Sequence, residues 1–184
     1  MTAGIDLATP MRVHVIGIGG AAMSAIASIL AAMGHTVSGS DLKDSPGLAR
    51  LRAAGVTVHV GHQRDHLGDP DLVAVSTAIP ERNPELVEAR ARGVRVASRA
   101  EVLAAICETR RTAAVSGTHG KTTTSSMLAL ACVAGGLRPS FLVGGELNEI
   151  GGGVVWDDTG RWFVVEADES DGTFVELPAS GCVP

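Results

Sequence analysis

The stretch Val115-Ser116-Gly117-Thr118-His119-Gly120-Lys121-Thr122-Thr123-Thr124 constrains the fold more than any other part of the chain. The apolar run Thr112–Val115 before it reads as a buried strand. The glycines permit a tight turn, and Thr122–Leu130 reads as the first turns of a helix. A strand that runs through a glycine turn into a helix belongs to a parallel α/β sheet. N–H groups at such a helix start carry the positive end of the dipole and suit polyphosphate. Lys121 would place a point charge over the β- and γ-phosphates, and the Thr122 hydroxyl would ligate Mg²⁺. The full phosphate-loop pattern has a glycine five positions before Gly120, where this chain has Val115. The loop is therefore a shortened form, Gly117-Thr118-His119-Gly120-Lys121-Thr122-Thr123. The competing reading is a glycine-rich turn with an exposed lysine.

Strand-like and helix-like segments alternate along the rest of the chain. Strands are expected at Val13–Ile18, Thr36–Ser40, Val56–Val60, Asp71–Ser76 and Val94–Ala97, with helices at Ala21–Met33, Gly47–Ala54, Pro84–Arg92 and Arg99–Cys107. This alternation predicts parallel βαβ units in a doubly wound, Rossmann-like sheet. The polar stretch Glu108-Thr109-Arg110-Arg111 suggests a domain boundary, giving units at 1–108 and 109–184. Beyond it, Ser140–Val143 and Arg161–Val165 read as strands and Gly144–Gly153 as a glycine-rich loop. The closing segment Pro178–Pro184 shows no strand-like run.

With 184 residues, 45% of them hydrophobic, the chain has ample material for a core. A formal charge of −5 and the lack of any Lys/Arg block argue against nucleic acid as a partner. Lys43 and Lys121 are the only lysines, so a lysine inside the glycine loop leans towards use. Cys107, Cys132 and Cys182 are widely spaced with no C-x-x-C, which indicates neither a disulfide framework nor a zinc site. Cys107 and Cys132 fall in apolar helical patterns and are expected to be small core residues. Residues 1–10 lack a basic start and a long apolar stretch, so no signal peptide is read there. Ala21–Met33 is too short to span a bilayer, and the cytoplasm is the default expectation.

A second glycine turn, Gly17-Ile18-Gly19-Gly20-Ala21-Ala22-Met23-Ser24, also lies between a strand and a helix. It satisfies the dinucleotide fingerprint with Ala22 in the third glycine position. Asp41 ends the next strand about twenty residues on, where an acidic residue reaches a ribose hydroxyl; it serves equally well as a turn or N-cap residue. Nothing identifies a hydride-transfer partner, and a diphosphate-linked nucleotide other than NAD fits the same loop. A third constellation is Phe163-Val164-Val165-Glu166-Ala167-Asp168-Glu169-Ser170-Asp171. A buried strand ending in carboxylates at the carboxyl edge of a parallel sheet can hold Mg²⁺, with Glu166 placed by alternation to face the crevice. A solvated acidic turn is the plainer account of Asp168, Glu169 and Asp171.

The ordered motifs H-V-I-G-I-G-G-A-A-M-S, V-S-G-S-D, S-G-T-H-G-K-T-T-T and E-A-D-E-S-D together resemble the amino-terminal part of the Mur ligases, over roughly Arg12 to Phe174. Within that family Gly19 and Ser170 favour the alanine-adding members over the ligase that recycles murein peptides, which typically has Cys and Tyr there. The family usually has Gly where Ala22 stands, which narrows the freedom of that backbone.

The resemblance implies an ATP-dependent amide ligation. The lactyl carboxylate of UDP-N-acetylmuramate takes the γ-phosphoryl group of ATP, and the amine of L-alanine attacks the acyl phosphate. Such a transfer needs mainly positioning and charge neutralisation. By analogy, Gly117, Thr118, His119, Gly120, Lys121, Thr122 and Thr123 cradle ATP, with Lys121 as the catalytic cation and Thr122 and Glu166 on Mg²⁺. Gly17, Gly19, Gly20, Ala21, Ala22 and Met23 hold the UDP diphosphate, with Asp41, His62, Ser76 and Thr77 on the uridine and sugar side. His62 reads equally well as a surface turn residue between Gly61 and Gln63, and His119 as loop filling. The resemblance further implies an incomplete P-loop-type central domain from 109 on. A chain of this length is thus expected to be a portion of a longer enzyme, without turnover of its own. A non-catalytic nucleotide-sugar-binding module, a murein-peptide recycling ligase and, more remotely, an NAD-dependent oxidoreductase are the competing readings.

Overall fold

The computed structural model describes residues 4–144 and 152–167, and the backbone of 181–183. Two compact units form, one of Leu7–Val102 and one of Leu103–Pro184 together with the first six residues. The division falls inside a helix, ahead of the polar stretch at 108–111.

The first unit holds five strands, β1 (Arg12–Ile16), β2 (Thr36–Asp41), β3 (Thr57–Val60), β4 (Leu72–Val75) and β5 (Arg95–Ser98), in the order β3-β2-β1-β4-β5. All neighbours are parallel. The chain leaves β1 in one direction towards β2 and β3, then returns to place β4 on the other side of β1. The carboxyl end of β1 is therefore the topological switch point, where open α/β sheets form their ligand crevice.

Alternation divides the strand side chains between the two sheet faces. Val13, Val15 and Val37 are buried, as are Ile26, Ile29 and Leu30 of helix α1 (Ala21–Ala32). Each such side chain contributes about 1.5–3 kcal/mol when fully buried. In the sheet register Ile16 stands beside Val75, and Val73 beside Val96. These residues cluster with Leu67, Leu86 and Ala89, which come from a 3₁₀ turn at Arg64–Leu67 and from helix α3 (Pro84–Ala91). The 3₁₀ turn was not expected, being too short to carry a periodic signal. Helix α2 (Pro46–Ala53) opens on Ser45, whose hydroxyl accepts the Leu48 N–H. Helix α4 (Arg99–Glu108) spans the division.

The second unit contains β6 (Arg111–Val115), helix α5 (Lys121–Ala134), β7 (Ser140–Leu142), β8 (Val154–Val155), β9 (Trp162–Glu166) and β10 (Gly181–Val183). Its strand order is β10-β6-β9-β7-β8. Ala129 of α5 packs with Phe141, Val143 and Val164. Three expectations need correction. Gly181–Val183 is a strand, parallel to β6, although the sequence there shows no strand-like run. A short edge strand is held by backbone hydrogen bonds and needs no apolar pattern. The β7–β8 pair is antiparallel, so this sheet is mixed. Cys132 is only half-buried, whereas Cys107 is in the core with its thiol pushed by burial up to about 12, which leaves it unreactive. No helix among the described residues is long and apolar enough to cross a membrane.

Candidate functional site

In the first unit, four segments gather at the carboxyl ends of the strands. Gly17 leaves β1 at φ 82°, a conformation suited to glycine. The Gly17 and Ile18 N–H groups both donate to the Ser40 carbonyl, at 2.9 and 3.0 Å. A Cβ on Gly17 would lie 3.2 Å from both Ser76 Cβ and Ile79 Cδ1, so the turn after β4 abuts the loop after β1. Within that turn the Ile79 N–H donates to the Ser76 carbonyl, and Thr77 is exposed. Gly20 is the N-cap of α1, and the first helical bond runs from Ser24 N–H to the Gly20 carbonyl at 2.8 Å. The N–H groups of Ala21, Ala22 and Met23 thus have no intrahelical acceptor, the arrangement that receives an anion. Gly20 and Ala21 are exposed at this point, whereas the Met23 side chain is buried, so Met23 can offer only its backbone.

Asp41 closes β2 and turns its Oδ2 onto the Gly19 N–H at 2.8 Å. A Cβ on Gly19 would stand 2.8 Å from that oxygen, so this position accommodates only glycine unless Asp41 moves. His62 follows β3 with its side chain 9% exposed, and its Nδ1 is 2.9 Å from Ser40 Oγ.

Beneath this edge lies a buried polar cluster that the sequence reading did not single out. Glu85 in the first turn of α3 is fully buried and accepts from Ser40 Oγ at 2.5 Å, His14 Nε2 at 3.1 Å and the Gln63 N–H at 3.0 Å. His14, also fully buried, has its Nδ1 2.9 Å from Ser38 Oγ. Burial by itself raises the Glu85 carboxyl, but the bonds from His14, Ser40 and Gln63 outweigh it and hold the group below the usual carboxylate range. Asn83 caps α3 by accepting from the Glu85 and Leu86 N–H groups, which sets Glu85 at the positive end of the helix. The available signals were a polar His14 within an apolar strand, and an acidic residue directly after an Asn-Pro helix start.

In the second unit, the segment after β6 forms a loop in which Thr118, His119 and Gly120 are exposed. Gly120 adopts φ 78° and caps α5, with the Thr124 N–H donating to its carbonyl at 2.9 Å. The N–H groups of Lys121, Thr122 and Thr123 are therefore the free donors of this helix start. Lys121 Nζ donates to the Gly117 carbonyl at 2.7 Å. Val115 of β6 lies beside Glu166 of β9 in the parallel register. Glu166 accepts from Thr122 Oγ1 at 2.9 and 3.1 Å on its two oxygens, and from the Gly144 N–H at 2.8 Å. Gly144 is a further neighbour not foreseen from sequence. Asp168, Glu169, Ser170 and Asp171 lie outside the described residues. Among the described residues no group of three or more His, Cys, Asp or Glu side chains is arranged to hold a metal. A hydroxyl and one carboxylate are nonetheless a hard oxygen set that suits Mg²⁺, which keeps several waters and takes few protein ligands.

A doubly wound parallel unit with a glycine turn at its switch point, followed in sequence by a strand–loop–helix bearing a lysine and a Thr–Glu oxygen pair, places the chain among the α/β proteins whose strand ends are suited to phosphate. Residues 12–111 match the Mur ligase family, catalytic domain, and the chain belongs to that family. It is 54% identical over 175 residues to a Rubrobacter xylanophilus protein named UDP-N-acetylmuramate–L-alanine ligase, covering 94% of this chain and 38% of that protein. A Rhizobium etli protein of the same name is 51% identical over 93% of this chain and 36% of its own length. The chain thus spans somewhat more than a third of these curated relatives. Among solved structures, the UDP-N-acetylmuramate–alanine ligase of Thermotoga maritima superposes with a TM-score of 0.85 at 33% identity, over 94% of this chain and 40% of that one. The UDP-N-acetylmuramate:L-alanyl-gamma-D-glutamyl-meso-diaminopimelate ligase of Neisseria meningitides gives 0.84 at 29% identity, over 95% and 60%.

Proposed function

We propose that this chain is the amino-terminal portion of a cytoplasmic ligase that joins L-alanine to the lactyl carboxylate of UDP-N-acetylmuramate, with ATP converted to ADP, in peptidoglycan precursor synthesis. The observation that carries this reading is the pairing of Thr122 with Glu166 beside the Lys121 loop. It is supported by identity above 50% to ligases of that name. In this reading residues 1–108 hold the nucleotide sugar and 109–184 begin the ATP-binding central domain. The free N–H groups of Ala21–Met23 receive the UDP diphosphate, and Asp41 keeps the Gly19 turn closed. Ser76, Thr77 and His62 line the uridine and sugar side. The loop Gly117–Thr123 cradles the ATP phosphates. Lys121 exchanges its bond to the Gly117 carbonyl for phosphate oxygens, lowering the cost of charge gathering there in the transition state. Thr122 and Glu166 would hold Mg²⁺, which would supply charge neutralisation at the phosphates.

A murein-peptide recycling ligase has nearly the same fold, so the TM-scores do not separate the two. Gly19 and Ser170 favour the alanine-adding form, since the recycling ligase typically has Cys and Tyr at these positions. Titrating UDP-N-acetylmuramate and Mg·ATP separately into the purified chain tests the proposal. Both are expected to bind. Binding of the sugar nucleotide without ATP would identify a non-catalytic module instead, and failure to bind UDP-N-acetylmuramate would overturn the assignment.

A further inference from the structure

We infer that Glu85, acting through Ser40, fixes His62 as the tautomer with its hydrogen on Nδ1, so that Nε2 is offered as an acceptor to an N–H or O–H group of the bound nucleotide. The inference rests on the nucleotide-sugar reading of the first unit and names a positioning residue for it. An ionised carboxylate only accepts, and Glu85 receives three donors: His14 Nε2, Ser40 Oγ and the Gln63 N–H. A serine hydroxyl has one hydrogen, and that of Ser40 lies on the 2.5 Å bond to Glu85. Towards His62 Nδ1, at 2.9 Å, Ser40 Oγ is left only as an acceptor, so Nδ1 carries the hydrogen. A neutral imidazole has a single N–H, which leaves the Nε2 lone pair free.

The backbone around the ring is tied down on both sides. Gly61 N–H donates to the Asp41 carbonyl at 2.7 Å, and Gln63 N–H donates to Glu85. Glu85 therefore holds the backbone on the Gln63 side of the ring and, through Ser40, its tautomer, while the Asp41 carbonyl holds the Gly61 side. The nearby His66 has its own commitments, with Nδ1 3.2 Å from the Gly61 carbonyl and its ring stacked on His59 at 4.4 Å. His62 Nε2 has no partner among the described residues and is not among the sealed polar atoms that lack one, so it faces solvent at the carboxyl edge of the sheet. On a nucleotide, the groups that would meet such an acceptor are the imide N–H of the base and the hydroxyls of the ribose.

The test uses the 184-residue chain labelled with ¹⁵N-histidine, and UDP as the probe. The ring nitrogens of His62 are read at a pH where the imidazole is neutral, and UDP binding is read independently from the backbone amides of 17–22. The expected result is a pyrrole-like Nδ1 and a pyridine-like Nε2, with Nε2 alone shifting strongly when UDP binds. His62→Ala should weaken UDP by about three- to tenfold, the range of one neutral hydrogen bond. Ser40→Ala leaves the His14 and Gln63 bonds to Glu85 in place; it should mix the tautomers and weaken UDP to a similar extent. It should have no further effect in the His62→Ala background, and Ser40→Thr should restore the wild-type spectrum. Base N3-methyl and deoxyribose analogues of UDP identify the donor by which of them abolishes the Nε2 shift. An Nε2-protonated ring in the wild type overturns the inference, as does UDP binding that leaves Nε2 unmoved or an Nε2 shift retained by every analogue. Failure of UDP to bind at all overturns the nucleotide-sugar reading and the role of His62 with it.

Discussion

Thr122 and Glu166, 44 residues apart, meet where α5 begins and β9 ends, with Thr122 Oγ1 2.9 and 3.1 Å from the two carboxylate oxygens. The parallel register of β6 beside β9 makes this meeting possible, because both strands then deliver their carboxyl ends to one edge. Lys121 sits one residue earlier, bonded to the Gly117 carbonyl. Lys121→Ala should weaken Mg·ATP roughly ten- to a hundredfold, given about 1.5–3 kcal/mol for a charge-assisted hydrogen bond. Thr122→Ala should blunt the Mg²⁺ dependence of ATP binding, while Thr122→Ser, which keeps the hydroxyl, should preserve it. Calorimetric titration at fixed and varied Mg²⁺ checks both. An unchanged ATP affinity in Lys121→Ala would remove the phosphate loop from the proposal.

Acid should destabilise the first unit in two steps. His35 is buried with its Nδ1 accepting the Met11 N–H at 3.1 Å and its Nε2 unpartnered, and burial lowers its pKa from 6.5. The unfolded chain then binds the proton more readily than the folded one. Stability contributed by neutral His35 is accordingly lost as pH falls through and below about 6.5. Glu85 is held below its ordinary 4.5, so its contribution is present above that value and lost as pH falls further. Urea midpoints measured from pH 8 to pH 3 should decline in both windows. His35→Gln should reduce the first decline, to which His59 also contributes because burial lowers its pKa too, and Glu85→Gln should reduce the second.

Gly39 is locked by its neighbours rather than by its dihedral angles. An added Cβ would lie 2.5 Å from the Val15 carbonyl oxygen and 2.7 Å from Ile18 Cδ1. The first of these is backbone on the adjacent strand and cannot rotate away. Gly39→Ala should therefore cost at least the 1–3 kcal/mol (about) of an overpacked core. In Gly20→Ala the new Cβ meets nothing nearer than 3.5 Å, so the cost should be limited to about 1 kcal/mol for the poorer N-cap. Equilibrium unfolding in urea compares the two. Equal midpoints would mean that β1 and β2 are not packed as tightly as described.

What was legible in the sequence was local and periodic. The apolar strand runs, the Ala21–Ala32 helix and both glycine turns stand in the chain much as the pattern predicts, because each is set by nearest neighbours. By alternation along β9, Glu166 reads as facing the crevice, and in the fold its carboxylate accepts from Thr122 Oγ1. The Glu85 cluster was not legible. It joins His14, Ser40, Gln63 and Glu85 from β1, β2, a turn and α3, and no single window holds more than two of them. β8 and β10 escaped for a different reason: strands of two and three residues are specified by the sheet that receives them.

Gly19 and Asp41 are locked together at the mouth of the first glycine turn. The Gly19 N–H is bonded to Asp41 Oδ2 at 2.8 Å, and a Cβ would stand at the same distance from that oxygen and 2.9 Å from Asp41 Cγ. Gly19→Ala must therefore swing the Asp41 carboxylate off the loop, leaving the Gly19 N–H without its partner while the Gly17 and Ile18 bonds to Ser40 remain. The unit should stay folded, because Asp41 is only partly buried and its carboxylate can turn to solvent. UDP-N-acetylmuramate should bind about three- to thirtyfold more weakly, the loss of one hydrogen bond to a charged group. Asp41→Asn keeps an acceptor oxygen and should fall between wild type and Gly19→Ala. Calorimetry with the three proteins, alongside thermal unfolding to confirm the fold, decides the matter. Full affinity in Gly19→Ala would show that Asp41 neither shapes the diphosphate loop nor contacts the nucleotide.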